Sequence, residues 1–255
     1  MRLAQWFRRT RPKTRMGKFL RGLERATIVL LLLYAGLHAF PQVLFAHSVS
    51  AEGITIYSRH PLPRETTQRI SEIAALVARS ELAVPGRQEK VFLCNSPWVF
   101  RLFCPRSSGA FGAAISVTDH VFVAQADLTS NVARRTAPNY NTRAFSPLVA
   151  HEITHGLIRK RLGLIWAFRL PDWVDEGFCE YVAGEGSFPE DEGLRLLAAG
   201  ERHPSSAFRY FVYRQMVTYL IDRRGLSFPQ VVDRAHDASG VEAELGAALR
   251  SRNAD

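Results

Sequence analysis

The sequence predicts an α+β protein, a small N-terminal sheet followed by a helical C-terminal half, with one transmembrane helix in front. Three observations predict it. Short strand-like runs, 53–58 with alternation and 90–94 apolar, occupy the first half. From Ser146 onward, apolar residues recur mainly at helical spacing. Ahead of both, a leucine-rich run follows a dense cluster of basic residues.

Residues 1–25 hold nine Lys or Arg and one acid, Glu24. This stretch reads as a basic cytoplasmic tail. The remaining chain carries 24 basic and 23 acidic residues, so the formal charge of +9 belongs almost wholly to the tail. A nearly neutral body removes the main argument for nucleic-acid binding, and no nucleic-acid partner is expected. Residues 26–46 form an apolar run just long enough to span a bilayer, weakened after His38 by Pro41 and Gln42. A cleaved signal peptide is the rival reading, but the charged region is long and Leu44-Phe45-Ala46 is a poor cleavage site. A surface-lying helix fits less well, because 28–33 is apolar all round. The expectation is an uncleaved single-pass anchor, with the N-terminus cytoplasmic and residues 47–255 outside the cytoplasm.

The third segment, 47–255, is long enough for one domain with a real core. Residues 53–58 alternate and predict a strand, stopped by Pro61 and Pro63. Ile70, Ile73, Ala74 and Val77 place an amphipathic helix within 64–82. Residues 90–94 predict a second strand, and Ser96-Pro97 opens a short helix to about Phe103. Residues 109–117 and 121–124 predict a strand pair, and 131–145 reads as irregular, either a loop over the site or a linker. Helices follow at 190–199 and 208–224, then two small closing helices at 228–235 and 241–249. Three cysteines are present. Cys94 and Cys104 are close enough in sequence to pair in an oxidising space, which leaves Cys179 as a small buried residue or a sulfur ligand.

The stretch that carries chemistry is His151-Glu152-Ile153-Thr154-His155. Four residues apart on a helix, His151 and His155 face the same way and can reach one metal ion. Glu152 can take a proton from water there. Ser146 is the expected N-cap, Pro147 the first helical residue and Gly163 the stop. Twenty-one residues after His155 comes Glu176, on a second helix expected to start at Asp172 after Pro171. Catalytic zinc takes three protein ligands and keeps one open position, so Glu176 is the candidate third ligand. Glu180 lies one turn further on and can accept the other ring N–H of a ligand histidine.

His151-Glu152-Ile153-Thr154-His155 together with Trp173-Val174-Asp175-Glu176-Gly177-Phe178-Cys179-Glu180-Tyr181 resembles the gluzincin metallopeptidases, the thermolysin-like and M1-aminopeptidase-like enzymes. The resemblance covers about residues 140–225. It implies a zincin-like domain over 47–255, a Zn2+ cofactor held by His151, His155 and Glu176, Glu152 as general base, and a peptide or protein substrate. It also implies that a strand from 109–124 runs along the cleft and pairs with the substrate backbone. No G-x-M-E-N-like segment precedes the motif, so aminopeptidase activity is not part of what is implied.

Gluzincins often place a Tyr or His from a later helix beside the developing oxyanion. Here that region offers Tyr210, Tyr213 and Tyr219, with His203 before it. Pattern alone does not choose among them. The offset of Tyr210 from Tyr219-Leu220 fits the resemblance best, so Tyr210 is the expected donor. The expected function is a membrane-anchored zinc metallopeptidase. The competing reading is a membrane-tethered peptide-binding module with a non-catalytic or absent metal. Glu152 weighs against that reading, since a pure binder needs no base.

Overall fold

The computed structural model describes residues 14–252. The chain divides into two units, residues 1–43 and 44–255.

The first unit is built on helix α1, Arg15–Ala39, whose N-cap Thr14 accepts the N–H of Gly17 at 3.1 Å. Of the expected basic tail, residues 1–13 lie outside the described residues, and Arg15 to Arg25 form the first turns of this helix. The expectation of a membrane anchor is corrected here. No helix among the described residues is long and apolar enough to cross a membrane. The reason lies in where the helix begins and ends. Arg15, Lys18, Arg21, Glu24 and Arg25 occupy its first half, and it stops before Phe40 and Pro41. The apolar part, 26–39, spans roughly 21 Å at 1.5 Å per residue, against about 30 Å of hydrocarbon. The single-pass topology and the extracytoplasmic placement of 47–255 lose their support with it.

The second unit is α+β. Five strands form one mixed sheet in the order β1-β2-β3-β5-β4: β1 His47–Ala51, β2 Ile54–Ser58, β3 Glu89–Leu93, β4 Gly112–Ala114 and β5 Val121–Val123. β2, β3 and β5 run parallel, and β1 and β4 pair antiparallel at the two edges. β5 is buried along its whole length, as a strand covered on both faces should be. A second, antiparallel sheet joins β6 Gln125–Asp127, β7 Val132–Arg134 and β8 Thr142–Ala144. The stretch expected to be irregular, 131–145, therefore contains a hairpin. β7 (Val132-Ala133-Arg134) and β8 (Thr142-Arg143-Ala144) are three residues each and carry Arg beside Ala, without the apolar run that marks β5.

Helix α2, Thr66–Ala78, buries Ile70 and Ile73 in the core. A short α3, Pro97–Phe103, follows, and then the central helix α4, Phe145–Leu162. Twelve of the residues of α4 are buried, so it lies inside the fold with no solvent stripe. It stops at Gly163, with φ +82°. Ser146 is not its N-cap. The helix starts at Phe145 after Ala144, two residues before the expected first residue Pro147, and the Ser146 hydroxyl points inward, donating to Glu72 Oε2 at 2.7 Å. The Ser146 N–H donates to Asn131 Oδ1 at 3.0 Å. Asn131 does what a cap would do, since its backbone carbonyl oxygen also accepts the Phe145 N–H at 2.9 Å.

After a short α5, Leu164–Ala167, come α6, Asp172–Ala183, α7, Glu190–Ala199, and α8, Ser206–Thr218, which runs on as a π-turn to Arg223. Asp172 is the first residue of α6 rather than its cap. Gly177 explains how α6 and α8 come together. A Cβ there would stand 2.7 Å from the carbonyl oxygen of Tyr213, so only glycine lets the helices approach this closely. Trp173 is buried, and its indole N–H donates to Ala235 O at 2.9 Å, tying α6 to the closing helices α9, Phe228–Asp233, and α10, Ala238–Arg252. Cys94, Cys104 and Cys179 are all buried free thiols, so the pairing of Cys94 with Cys104 is not formed. Burial pushes the Cys94 thiol up to about 12.

Candidate metal centre

α4 delivers His151 and His155 from one face, one turn apart, with ring centroids 5.0 Å from each other and planes 81° apart. α6 packs across α4 and brings Glu176 to them. Its Oε2 lies 3.2 Å from His151 Nε2 and 3.8 Å from His155 Nε2. A tetrahedral zinc with bonds of about 2.0–2.1 Å sets its N and O ligands roughly 3.3 Å apart. Both separations are close to that spacing.

The far edges of both rings meet carboxylates. His155 Nδ1 lies 3.2 Å from Asp175 Oδ1 in a hydrogen bond. His151 Nδ1 lies 3.2 Å from Glu180 Oε1, off the line of a well-formed N–H···O bond. Protons held at Nδ1 would leave each Nε2 lone pair facing Glu176, the tautomer a metal needs. Glu180 is in turn gripped by Arg143 from β8, Nη1 to Oε1 at 3.0 Å and Nη2 to Oε2 at 3.2 Å.

The charges follow from this packing. Burial acts to lower both imidazoles, but the carboxylates win. Glu180 and Glu176 raise His151 to about 10, and Asp175 and Glu176 raise His155. Burial opposes ionisation of Glu180, yet Arg143 and His151 hold it down to about 2. Glu176 is likewise held below its ordinary value, against burial, by its hydrogen bond with His151 and the charge of both rings. The surround favours positive charge at the ring edges, as protons or as a metal ion.

Cys179 offers a second donor set. Its Sγ and one nitrogen of each histidine all lie within 4.8 Å of one another. The thiolate is the form that ligates, and burial together with the charges of Asp175, Glu176, Glu152 and Glu180 pushes this thiol well above its usual range. Glu176, held in its ionised form, is the better candidate for a third ligand on electrostatic grounds.

His151, His155, Glu176 and Glu180 form part of the wall of a cavity of about 510 Å³. Glu152 is on that wall, 7% exposed. Opposite it runs β4, the edge strand, so close that a Cβ on Gly112 would stand 3.4 Å from Glu152 Oε1. Of the four candidates for the oxyanion donor, Tyr210 reaches the cavity. Tyr213 and Tyr219 are not on its wall; the Tyr219 hydroxyl meets Arg224 Nη1 at 3.4 Å elsewhere on the surface. His203 packs edge-on against Tyr140 and Phe188 and lies beside Ser205 Oγ. Burial pushes the Tyr210 phenol above its usual range, and the charge of Glu176 adds to it.

Every expected site residue, His151, Glu152, His155, Glu176, Glu180 and Tyr210, thus lines one cavity. Asp175 and Arg143 were not foreseen. Asp175 stands inside the motif beside Glu176, and its acidity one position before a candidate ligand is the available signal. Arg143, 37 residues from Glu180, left none.

No protein-family model matches the chain, and no curated protein matches its sequence.

Proposed function

We propose that the protein is a zinc-dependent metallopeptidase of gluzincin type, acting on a peptide or protein. One observation carries the reading: two histidine Nε2 atoms converge on the Glu176 carboxylate in the same cavity that holds Glu152. His151, His155 and Glu176 would hold the ion, with Asp175 and Glu180 fixing the two rings. Zinc bound there would supply a Lewis acid that polarises a peptide carbonyl and acidifies water.

The other steps belong to the chain. β4 has an unpaired edge beside Glu152, where an extended peptide can add its own N–H and C=O groups. Glu152 takes the proton of the attacking water and returns it to the leaving amine. Tyr210 offers an O–H to the oxygen on which charge develops. Burial and the charge of Glu176 push that phenol above its usual range, which favours the protonated form.

The test is a digest of a peptide library by the full chain, read by mass spectrometry beside metal analysis. Cleavage by the parent is expected, with Glu152→Gln keeping its metal and losing roughly a hundredfold to ten-thousandfold in rate. Equal cleavage by Glu152→Gln, or none by the metal-loaded parent, would overturn the reading.

A further inference from the structure

Four arginines line the cavity, and three of them are committed. Arg143 forks Glu180 and also donates to Glu185 O at 2.9 Å. Arg159 meets Asp119 Oδ1 at 2.9 Å. Arg214 pairs with Glu190 and donates to Gly184 O at 2.7 Å. Arg135 differs. Among the described residues no carboxylate pairs with it; its Nε, like those of Arg143 and Arg214, is shielded without a hydrogen-bond partner. Its guanidinium lies over the Phe111 ring, 4.8 Å from the centroid.

The backbone beneath Arg135 is braced. It directly follows β7, its N–H donates to Asn141 O at 3.1 Å, and its carbonyl accepts from Ala137 N at 3.1 Å. The returning strand β8 carries Arg143, which locks the hairpin to Glu180 on α6. A partly buried cation without a counter-charge is costly, and a ring face repays only part of that cost. A guanidinium fork is matched by an anion that offers two oxygens. Glu152, Glu176 and Glu180 share the cavity, so a singly charged carboxylate suits it better than a phosphate.

We propose that Arg135 is a specificity residue that receives a carboxylate of the bound peptide, either a free C-terminus or the side chain of an Asp or Glu. The proposal rests on the peptidase reading only for the identity of the ligand as a peptide.

The test uses the full chain carrying Glu152→Gln, so that bound peptide persists, and fluorescein-labelled hexapeptides read by anisotropy. One pair differs only in a C-terminal acid or amide. The second set, all amides, places Glu or Gln at each position in turn. A carboxylate should tighten binding about tenfold to a hundredfold over its neutral counterpart in one of the two sets, and that set names the source. Arg135→Gln, added to a protein of unchanged melting temperature, should close the gap, and Arg135→Lys should keep part of it. Equal binding of acid and neutral peptides, no binding of any of them, or a gap that survives Arg135→Gln would overturn the proposal. A gap without any turnover by the parent would instead sink the peptidase reading and leave Arg135 its role.

Discussion

Arg143 and Glu180 meet as a two-bond fork, 3.0 and 3.2 Å, between a strand and a helix that are 37 residues apart in the chain. Their side chains are 5% and 3% exposed. Arg143→Met would strand a buried carboxylate beside His151, and losses of about 3–5 kcal/mol accompany such stranding. Denaturant unfolding should show a lower midpoint with an unchanged slope. A loss under about 1 kcal/mol would mean that water reaches Glu180.

The third ligand can be read directly. His151→Ala, His155→Ala and Glu176→Ala should each abolish stoichiometric zinc in the purified protein, while Cys179→Ser should keep it. Cobalt-loaded parent should show no sulfur-to-metal charge-transfer band. Zinc lost in Cys179→Ser, together with such a band, would transfer the role from Glu176 to Cys179.

How much of this was legible in the sequence depended on the range of each interaction. The pair His151 and His155, the stop at Gly163 and the face shared by Glu176 and Glu180 follow from one helical turn, so spacing carried them. The strands β1, β6, β7 and β8 have five residues or fewer and present little alternation to read. Ser146 has the right chemistry for a cap, but its hydroxyl is taken by Glu72, 74 residues earlier, a contact that only tertiary packing creates. The expected anchor failed for a related reason. Counting apolar residues over 26–46 ignored that the helix is set by Arg15 and ends at Ala39, with its charges in one half.

Asp175 gives a prediction about orientation. It holds His155 Nδ1 at 3.2 Å and lies one position from the candidate ligand Glu176. Asp175→Asn keeps the shape and removes the charge, and partners of this kind typically contribute tenfold to a hundredfold in metal affinity. Competition with a chelator should show that loss without a shift in melting temperature. Unchanged affinity would leave Asp175 as a surface carboxylate.

Glu72 links acidity to the start of α4. Burial pushes its carboxyl up, but hydrogen bonds from Arg69 and Ser146 outweigh it and hold it below the ordinary 4.5. The unfolded chain then binds more protons in that window, so stability rises with pH there. The contribution is present above about pH 4.5 and fades as pH falls through the lowered folded value. Its side chain is a third exposed, so screening limits the effect to about 1 kcal/mol or less. Glu72→Gln should flatten this part of the stability curve, and an identical acid limb in both proteins would count against it.

Tyr210 is the last test, and it separates chemistry from packing. The phenol sits on the wall of the cavity that holds Glu152 and Glu176, while Tyr213, Tyr219 and His203 do not line it. Arg209 lies over its ring at 5.7 Å, so the ring has a packing role of its own. Tyr210→Phe keeps that ring and removes one hydroxyl. If the hydroxyl meets the developing oxyanion, kcat should fall by roughly tenfold to a thousandfold with KM, zinc content and melting temperature nearly unchanged. A fall in melting temperature with kcat preserved would assign the hydroxyl to the fold. A large kcat loss in Tyr213→Phe or His203→Ala, with Tyr210→Phe silent, would move the donor to that residue. Those two side chains would then have to swing into a cavity whose wall they do not form, and a crystal structure with a bound phosphinic peptide would show whether they do.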